Sequence, residues 1–419
     1  MTMKSPDAEI ISVGTELLLG HVTNTDARDV SALLAEIGVN VRYHTVVGDD
    51  PERLRACAEI AKRRAEVIIT TGGLGPTCDD LTRQTLAECF GLPLVRDEET
   101  ERGLYEYIGT GRGLTPNTRR QALLPAGCTV FRNRWGTAPG CAFEAEGRHV
   151  LMLPGPPKEC VPMFAECALP YLRRLSDARI VSRTVCIFGL GESAVDDIFA
   201  DEMLRMQNPA MAPYARECDC LLKITARADS EAAAEALIAP VEARVKERLG
   251  DAVYGVDLSC LEEAVMALLK ERKLSFAAAE SCTGGDVARR FTELPGASAF
   301  FKGGVVSYVN EIKEALLGVD GAVLAEKTAV SREVAAAMAE GARGRFHTDM
   351  AVSVTGLAGP DGDGVHEVGT VFIGLAVEGR TFVRETHMGA FRTRSFIRRM
   401  AGNHAFDMMR RWLCGMEIA

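Results

Sequence analysis

Short apolar runs and amphipathic stretches alternate along most of this chain. "AEIISV" (8–13) has the length and character of a strand. "ARDVSALLAEIG" (27–38) spaces its apolar residues three and four apart, which predicts a helix closed by Gly38. "VNVRYHTVV" reads as a strand, a helix starts near Pro51, and "AEVIITT" (65–71) is a strand again. "DDLTRQTLAECFG" (79–91) predicts a helix that ends at Gly91. This βαβαβα alternation predicts a parallel sheet covered by helices. "HVLMLPGPPKECVPMFAECALPYL" closes the region with a strand, a turn and a helix, and places a boundary near Leu172.

From Ile180 to about Gly255 the elements shorten. "IVSRTVCIFG" and "CDCLLKITARA" read as strands, and "ESAVDDIFADEML" and "EAAAEALIAPVEARVKERLG" as helices, a small α+β module. From Leu261 the longer alternation resumes. "LEEAVMALLKERK" is a helix and "LSFAAAE" a strand, followed by a glycine turn and a helix. "GGVVSYV" is a strand, "NEIKEALLG" a helix capped by Asn310, and "SREVAAAMAEGARGRF" another helix. "MAVSVTG", "TVFIGLAV" and "TFVRETHM" are strands, and a last helix covers Arg394 to Leu413. The expected organisation is therefore an α/β domain over 1–172, an α+β module over 173–256 and a second α/β domain over 257–419. "IITTGGLGPTCDD" and "SVTGLAGPDGDG" echo each other, which reads as similar loop chemistry arising twice rather than as a repeat.

Composition narrows the function. A chain of 419 residues calls for two or three domains, and 47% hydrophobic with 25% charged residues marks a globular protein. The net charge of -10 argues against non-specific nucleic-acid binding, which needs surplus Lys and Arg. No apolar run approaches bilayer length, and the polar N-terminus does not read as a signal peptide; a cytoplasmic protein is expected. Thirteen scattered cysteines without C-x-x-C fit buried thiols in a reducing compartment. Seven histidines without paired spacing argue against a soft-ligand zinc site and leave a hard cation open.

The chemistry-bearing segments fall at the ends of predicted strands, where open α/β sheets bind ligands. In the first domain they are "GTELLLG" (Gly14, Glu16), "TGGLGPTCDD" (Gly72, Gly73, Gly75, Asp79, Asp80) and "LPGPPKE" (Pro154, Gly155). Glycines let backbone N–H groups approach an anion, and the next helix adds its positive end. Asp79 and Asp80 either hold a phosphate-bridging cation or simply favour a helix N-terminus. Glu16 is a second acidic candidate, or an ordinary loop carboxylate. In the last domain Ser281 closes a strand and opens a helix, a place for an exposed nucleophile and equally for an N-cap. Cys282 is the rival nucleophile. The base offered to Ser281 is Lys313, which also reads as a surface lysine; Tyr308 could orient either group or pack at an edge.

These motifs, with "GTAPG", "AESCTGG", "VVSYVNEIK" and "TGLAGPDG", resemble the CinA family (competence/damage-inducible protein A) over nearly the whole chain. The resemblance implies two three-layer α/β domains joined by a small α+β module of KH type. It implies a molybdopterin-binding-like first domain with ADP-ribose pyrophosphatase activity, needing a divalent metal (Mg, Mn or Co, at Asp79 and Asp80) and potassium. Gly14, Glu16, Asn24, Gly72, Gly73, Gly75, Pro154 and Gly155 would bind the nucleotide. The last domain resembles nicotinamide-nucleotide amidase, which turns nicotinamide mononucleotide into nicotinate mononucleotide and ammonia without a cofactor. Its Ser–Lys pattern falls on Ser281 and Lys313. Thr283, Gly284, Gly285, Asn310, Thr355, Gly356, Gly359, Arg394 and Arg398 would contact substrate. A homodimer is expected, with neither nucleic acid nor membrane as partner. Two departures stand in the first domain: Asp26 replaces the usual Asn, and Cys78 a frequent Lys. The middle turn "GLGES" precedes Asp196, Asp197, Asp201 and Glu202, which would repel phosphates. A non-catalytic nucleotide-binding protein is the alternative reading, and an RNA-binding one would need a basic middle module.

Overall fold

The computed structural model describes residues 5–108, 113–175 and 179–418. They form two units: one runs to Ser182 and takes in Thr225–Leu237, the other comprises Arg183–Ile224 and Ile238–Ala419.

In chain order the strands are β1 (Asp7–Val13), β2 (Asn40–Val47), β3 (Val67–Thr71), β4 (Leu94–Arg96), β5 (Leu123–Pro125), β6 (Thr129–Phe131), β7 (Gly140–Ala145) and β8 (Arg148–Leu153). The first sheet has the order β2-β1-β3-β8-β7-β6, with β4 and β5 paired separately. β2, β1, β3 and β8 are parallel, while β6 and β7 add on antiparallel. The wholly parallel sheet expected from the alternation is thus mixed, because the "GTAPG" region returns as a hairpin beside β8. Both sheet faces are covered. Ala8 and Ile10 pack in one apolar cluster, Ile11 and Val13 in another, so alternate residues of β1 serve opposite layers. The helix expected to start at Asp79 starts at Thr82 instead, leaving Asp79 and Asp80 in the turn before it.

The middle strands β9 (Arg179–Ile187), β10 (Ala210–Arg216), β11 (Asp219–Ala228) and β12 (Val253–Val256) form a sheet in the order β10-β11-β9-β12. Arg248, on helix Glu231–Leu249, stacks over Phe199 of helix Glu192–Arg205.

The third sheet comprises β13 (Phe276–Glu280), β14 (Phe301–Val306), β15 (Met350–Gly356), β16 (Thr370–Val377) and β17 (Arg380–His387), in the order β14-β13-β15-β16-β17. β14, β13 and β15 are parallel, and β16 and β17 antiparallel. Phe276 and Ala278 face one core, and Ala277 and Ala279 the other. Helices Leu261–Arg272 and Arg394–Leu413 cover the first face; Arg332–Phe346 covers the second. The parallel β13 and β15 end together, which brings the loops after Glu280 and Gly356 side by side.

Candidate active site

The turn after β13 is built by two left-handed glycines, Gly284 (φ 61°) and Gly285 (φ 92°). A side chain would be strained at either position. Gly285 is the N-cap of helix Asp286–Thr292, and Ser281 does not cap it. Glu280 does that work from the strand: its buried carboxylate accepts the N–H groups of Val287 (3.0 Å) and Ala288 (2.9 Å). This holds the Ser281–Gly285 turn against the sheet and leaves the Ser281 side chain uncommitted to the helix.

Lys313 meets Ser281 from the other side. It is 1% exposed, and its Nζ lies 3.2 Å from Ser281 Oγ and 2.8 Å from the carbonyl oxygen of Ser307. The surface-lysine reading therefore fails. Burial lowers the Lys313 pKa from its ordinary value, opposed by the nearby Cys282. Among the described residues Lys313 forms no ion pair, and Glu280 is turned onto backbone N–H groups. Cys282 is buried, and burial pushes its thiol up to about 12, with Glu280 adding to the shift. It is therefore almost wholly protonated at neutral pH and a poor nucleophile.

Ser281, Lys313, Tyr308, Thr355, Gly356, Gly359 and Arg394 line one cleft of about 240 Å³. Asp361 lines it too; sequence reasoning passed it over although it stands inside "TGLAGPDG". Thr355 is fixed by donating to Ala329 O (2.7 Å). Gly356 is required by packing, since a Cβ there would sit 2.6 Å from Thr370 O. Tyr308 is 58% exposed and accepts from Arg394 Nη2 at 2.9 Å, so its hydroxyl holds the cleft rim rather than Ser281 or Lys313. Arg394 also donates to Gly359 O. Arg398 grips the turn itself, with Nε (3.1 Å) and Nη2 (2.6 Å) both donating to Thr283 O.

Three expected contacts are placed elsewhere. Thr283 is wholly buried and its Oγ1 has no hydrogen-bond partner, so the turn offers its backbone rather than this side chain. Asn310 is exposed and outside the cleft lining, and Val309 rather than Asn310 occupies the cap position of helix Asn310–Leu317. Arg398 serves the turn's carbonyl. Ser307 went unread in the sequence; its carbonyl holds Lys313 and its own Oγ is buried without a partner.

The glycine loops of the first unit converge at the carboxyl ends of its parallel strands. Gly72 (φ 97°) and Gly73 (φ 66°) tolerate no side chain: a Cβ would lie 2.1 Å from Val13 O and from Thr82 Oγ1 respectively. Gly155, after Pro154, packs directly on Gly72, 3.2 Å from a Cβ placed there to the Gly72 Cα. Gly14 lies under the exposed Glu16 carboxylate. Asn24 caps helix Thr25–Glu36 through Ala27 N (3.2 Å) and donates to Ser12 Oγ (3.0 Å), so its amide is already engaged. Asp26 is 6% exposed, one carboxylate oxygen has no partner, and burial together with Asp29 raises it to about 6. Asp79 and Asp80 both accept from Thr77, and Asp79 is held below its ordinary value chiefly by that bond. Among the described residues no group of three or more His, Cys, Asp or Glu is arranged to hold a metal ion. Among them, too, no helix is long and apolar enough to cross a membrane.

A glycine-looped α/β unit, a small α+β module and an α/β unit with a Ser–Lys cleft define a recognisable class of three-part chain. Residues 9–174 match the family model described as probable molybdopterin binding domain, 182–255 the damage-inducible protein CinA KH domain, and 258–413 the CinA C-terminal domain. A competence-damage inducible protein of Caldanaerobacter subterraneus is 45% identical over 412 residues, 98% of this chain and 99% of that one. A CinA-like protein of Desulfovibrio desulfuricans is 45% identical over 415 residues, 98% and 97% of the two chains. A crystal structure of CinA from Thermoplasma acidophilum is 33% identical with a TM-score of 0.38, covering 40% of this chain and 98% of that one. The chain belongs to the CinA family.

Proposed function

We propose that the C-terminal unit is a Ser–Lys amidase that deamidates nicotinamide mononucleotide to nicotinate mononucleotide and ammonia. The observation that carries this reading is the buried Lys313 Nζ, 3.2 Å from Ser281 Oγ in the wall of the cleft. At an unperturbed pKa of about 10.4, roughly one lysine in 2,500 is neutral at pH 7. Burial without a carboxylate partner raises that fraction, and Ser307 O orients the nitrogen. Neutral Lys313 takes the Ser281 proton as Oγ attacks the carboxamide carbon. The C–N bond breaks, the proton passes to the departing ammonia, and water hydrolyses the acyl-serine. The N–H groups of Ser281 and Gly284 are bonded to Val354 O and Ser281 O. That leaves those of Cys282, Thr283 and Gly285 as the oxyanion donors to examine. Arg394, at the rim, is the group for the substrate phosphate. Ammonia release from nicotinamide mononucleotide, measured with chelator and without added metal, tests the reading. Activity abolished by chelator and restored by metal would sink it.

We further infer an ADP-ribose pyrophosphatase in the first unit. Asp79 and Asp80 are two carboxylates without a third protein ligand. They would hold a Mg, Mn or Co ion, and that ion would supply neutralisation of charge on the diphosphate. Potassium as a second cation, a homodimeric assembly and a cytoplasmic setting belong to the same proposal. Exposed Asp196, Asp197 and Asp201 on the middle helix support a role other than nucleic-acid binding.

A further inference from the structure

Away from the Ser–Lys cleft, Arg83 is a buried cation without a direct ion pair among the described residues, although the Asp80 carboxylate acts on it through space. Arg83 lies in the first turn of helix Thr82–Cys89 and is 7% exposed. Its Nη2 donates to Leu74 O at 3.2 Å and its Nη1 weakly to Arg120 O at 3.4 Å. The buried Nε has no partner. Among the described residues Arg83 makes no ion pair, and burial lowers its pKa from the ordinary arginine value. A guanidinium held this way is costly to the fold, because neutral carbonyls only partly replace the water it gave up. Such a cost is readily understood where an anion arrives to offset it.

There is room for one. Arg83 lines a cavity of about 50 Å³ together with Gly75, Thr77, Asp80, Asn117 and Arg120. One water needs roughly 10–15 Å³ by this measure. The space therefore suits a few oxygen-sized atoms and excludes a base or a sugar. Arg83 and Arg120 outnumber the one acidic lining residue, Asp80, so the lining is net positive. Asp80 is already held by Thr77 N at 2.8 Å, and Gly75 makes way for it, since a Cβ there would lie 2.5 Å from Asp80 Oδ2. Arg120 is exposed and forms no ion pair among the described residues, which leaves it available at the mouth.

We propose that this recess is an oxyanion subsite that takes a single phosphoryl group, with Arg83 at its floor and Arg120 at its mouth. The tetrahedral oxyanion is either free phosphate or the phosphoryl end of a nucleotide. The recess shares Gly75 and Asp80 with the site read as a pyrophosphatase, but its readout is binding and not turnover, so the two can fail separately.

The test is calorimetric titration of the full chain with inorganic phosphate at low salt, in phosphate-free buffer. Saturable binding is expected, weakened about tenfold or more in Arg120→Ala and in Arg83→Gln, as for loss of a charge-assisted contact. Repeating the titration with AMP, whose phosphoryl group is terminal, separates the two sources. Competition with phosphate assigns the recess to the nucleotide, and independent binding assigns it to the free ion; both keep the subsite. Arg120→Ala changes a surface residue and leaves the fold intact, so the test survives a failure of the buried variant. Arg83→Met should melt no lower than wild type without phosphate and lose the phosphate-induced rise in Tm. Wild-type affinity in Arg120→Ala and Arg83→Gln would overturn the proposal, as would absence of binding of both phosphate and AMP to the wild type.

Discussion

Ser281 and Cys282 are neighbours in one turn, yet their surroundings separate them. Ser281 Oγ faces a buried lysine, while the Cys282 thiol is pushed up to about 12. Ser281→Ala should therefore lower amidase turnover by roughly 10³-fold or more, and Cys282→Ala should keep most of it. Steady-state kinetics on both variants checks this, and the reverse pattern would make Cys282 the nucleophile. Lys313 permits a pH argument. Its folded pKa lies below its ordinary 10.5, so the unfolded chain binds more protons between those two values. Stability accordingly rises with pH across that window, and kcat rises as Lys313 becomes neutral. Lys313→Arg should be nearly inactive, since arginine keeps its proton. Lys313→Met should gain stability below the folded pKa, with the gain fading toward pH 10.5. Denaturant midpoints taken along the pH axis measure it, and a pH-independent difference would mean that Lys313 is not buried as an ammonium. The Ser–Lys pairing was legible only through the local motifs around each residue. Nothing in residues 281 and 313 alone reveals that they meet, because the parallel β13–β14 crossover that joins them is a tertiary event.

At the scale of elements, long periodic segments were readable and short ones were not. The last helix runs from Arg394 to Leu413 as its spacing predicts, opened by Thr393, whose side chain accepts from Phe396 N. β4, β5 and β6 are three-residue strands, too short for alternation to show, and β10 (Ala210–Arg216) carries a proline. Helix Gly321–Lys327 also escaped notice. The cap of helix Asn310–Leu317 was misread by one residue, since Asn is a better cap than Val by side chain, but the backbone turns at Val309. Helix Arg394–Leu413 does two jobs that sequence spacing alone could not divide. Arg394 reaches the rim and Arg398, one turn on, holds the Ser281–Gly285 turn at Thr283 O. Arg394→Ala should mainly raise KM, whereas Arg398→Ala should mainly lower kcat, because the turn that carries Ser281 loses its brace. A KM defect in both variants, with kcat unchanged, would place both guanidinium groups on the substrate instead.

The whole molecule puts its two candidate centres in different compact units. The cleft residues from Ser281 to Arg394 all belong to the unit that ends the chain, and Asp79 and Asp80 to the one that begins it. The two sites rest on different sheets and on different apolar clusters. Additivity for sites that share no partner then gives a specific expectation. Asp79→Asn and Asp80→Asn remove one charge each from the loop after β3 while preserving side-chain shape. Both should reduce metal-dependent cleavage of ADP-ribose, and both should leave ammonia release from nicotinamide mononucleotide at wild-type kcat and KM. Thermal melts and circular dichroism of each variant control for folding of the first unit, on which the amidase assay does not report. Retention of full ADP-ribose cleavage in both variants would remove these carboxylates from metal binding. Wild-type protein that cleaves no ADP-ribose with Mg, Mn or Co in the presence of potassium would leave the first unit as a binding domain. Parallel loss of the two activities in a folded Asp80→Asn protein would show instead that the units communicate, and would replace the picture of independent centres with a coupled one.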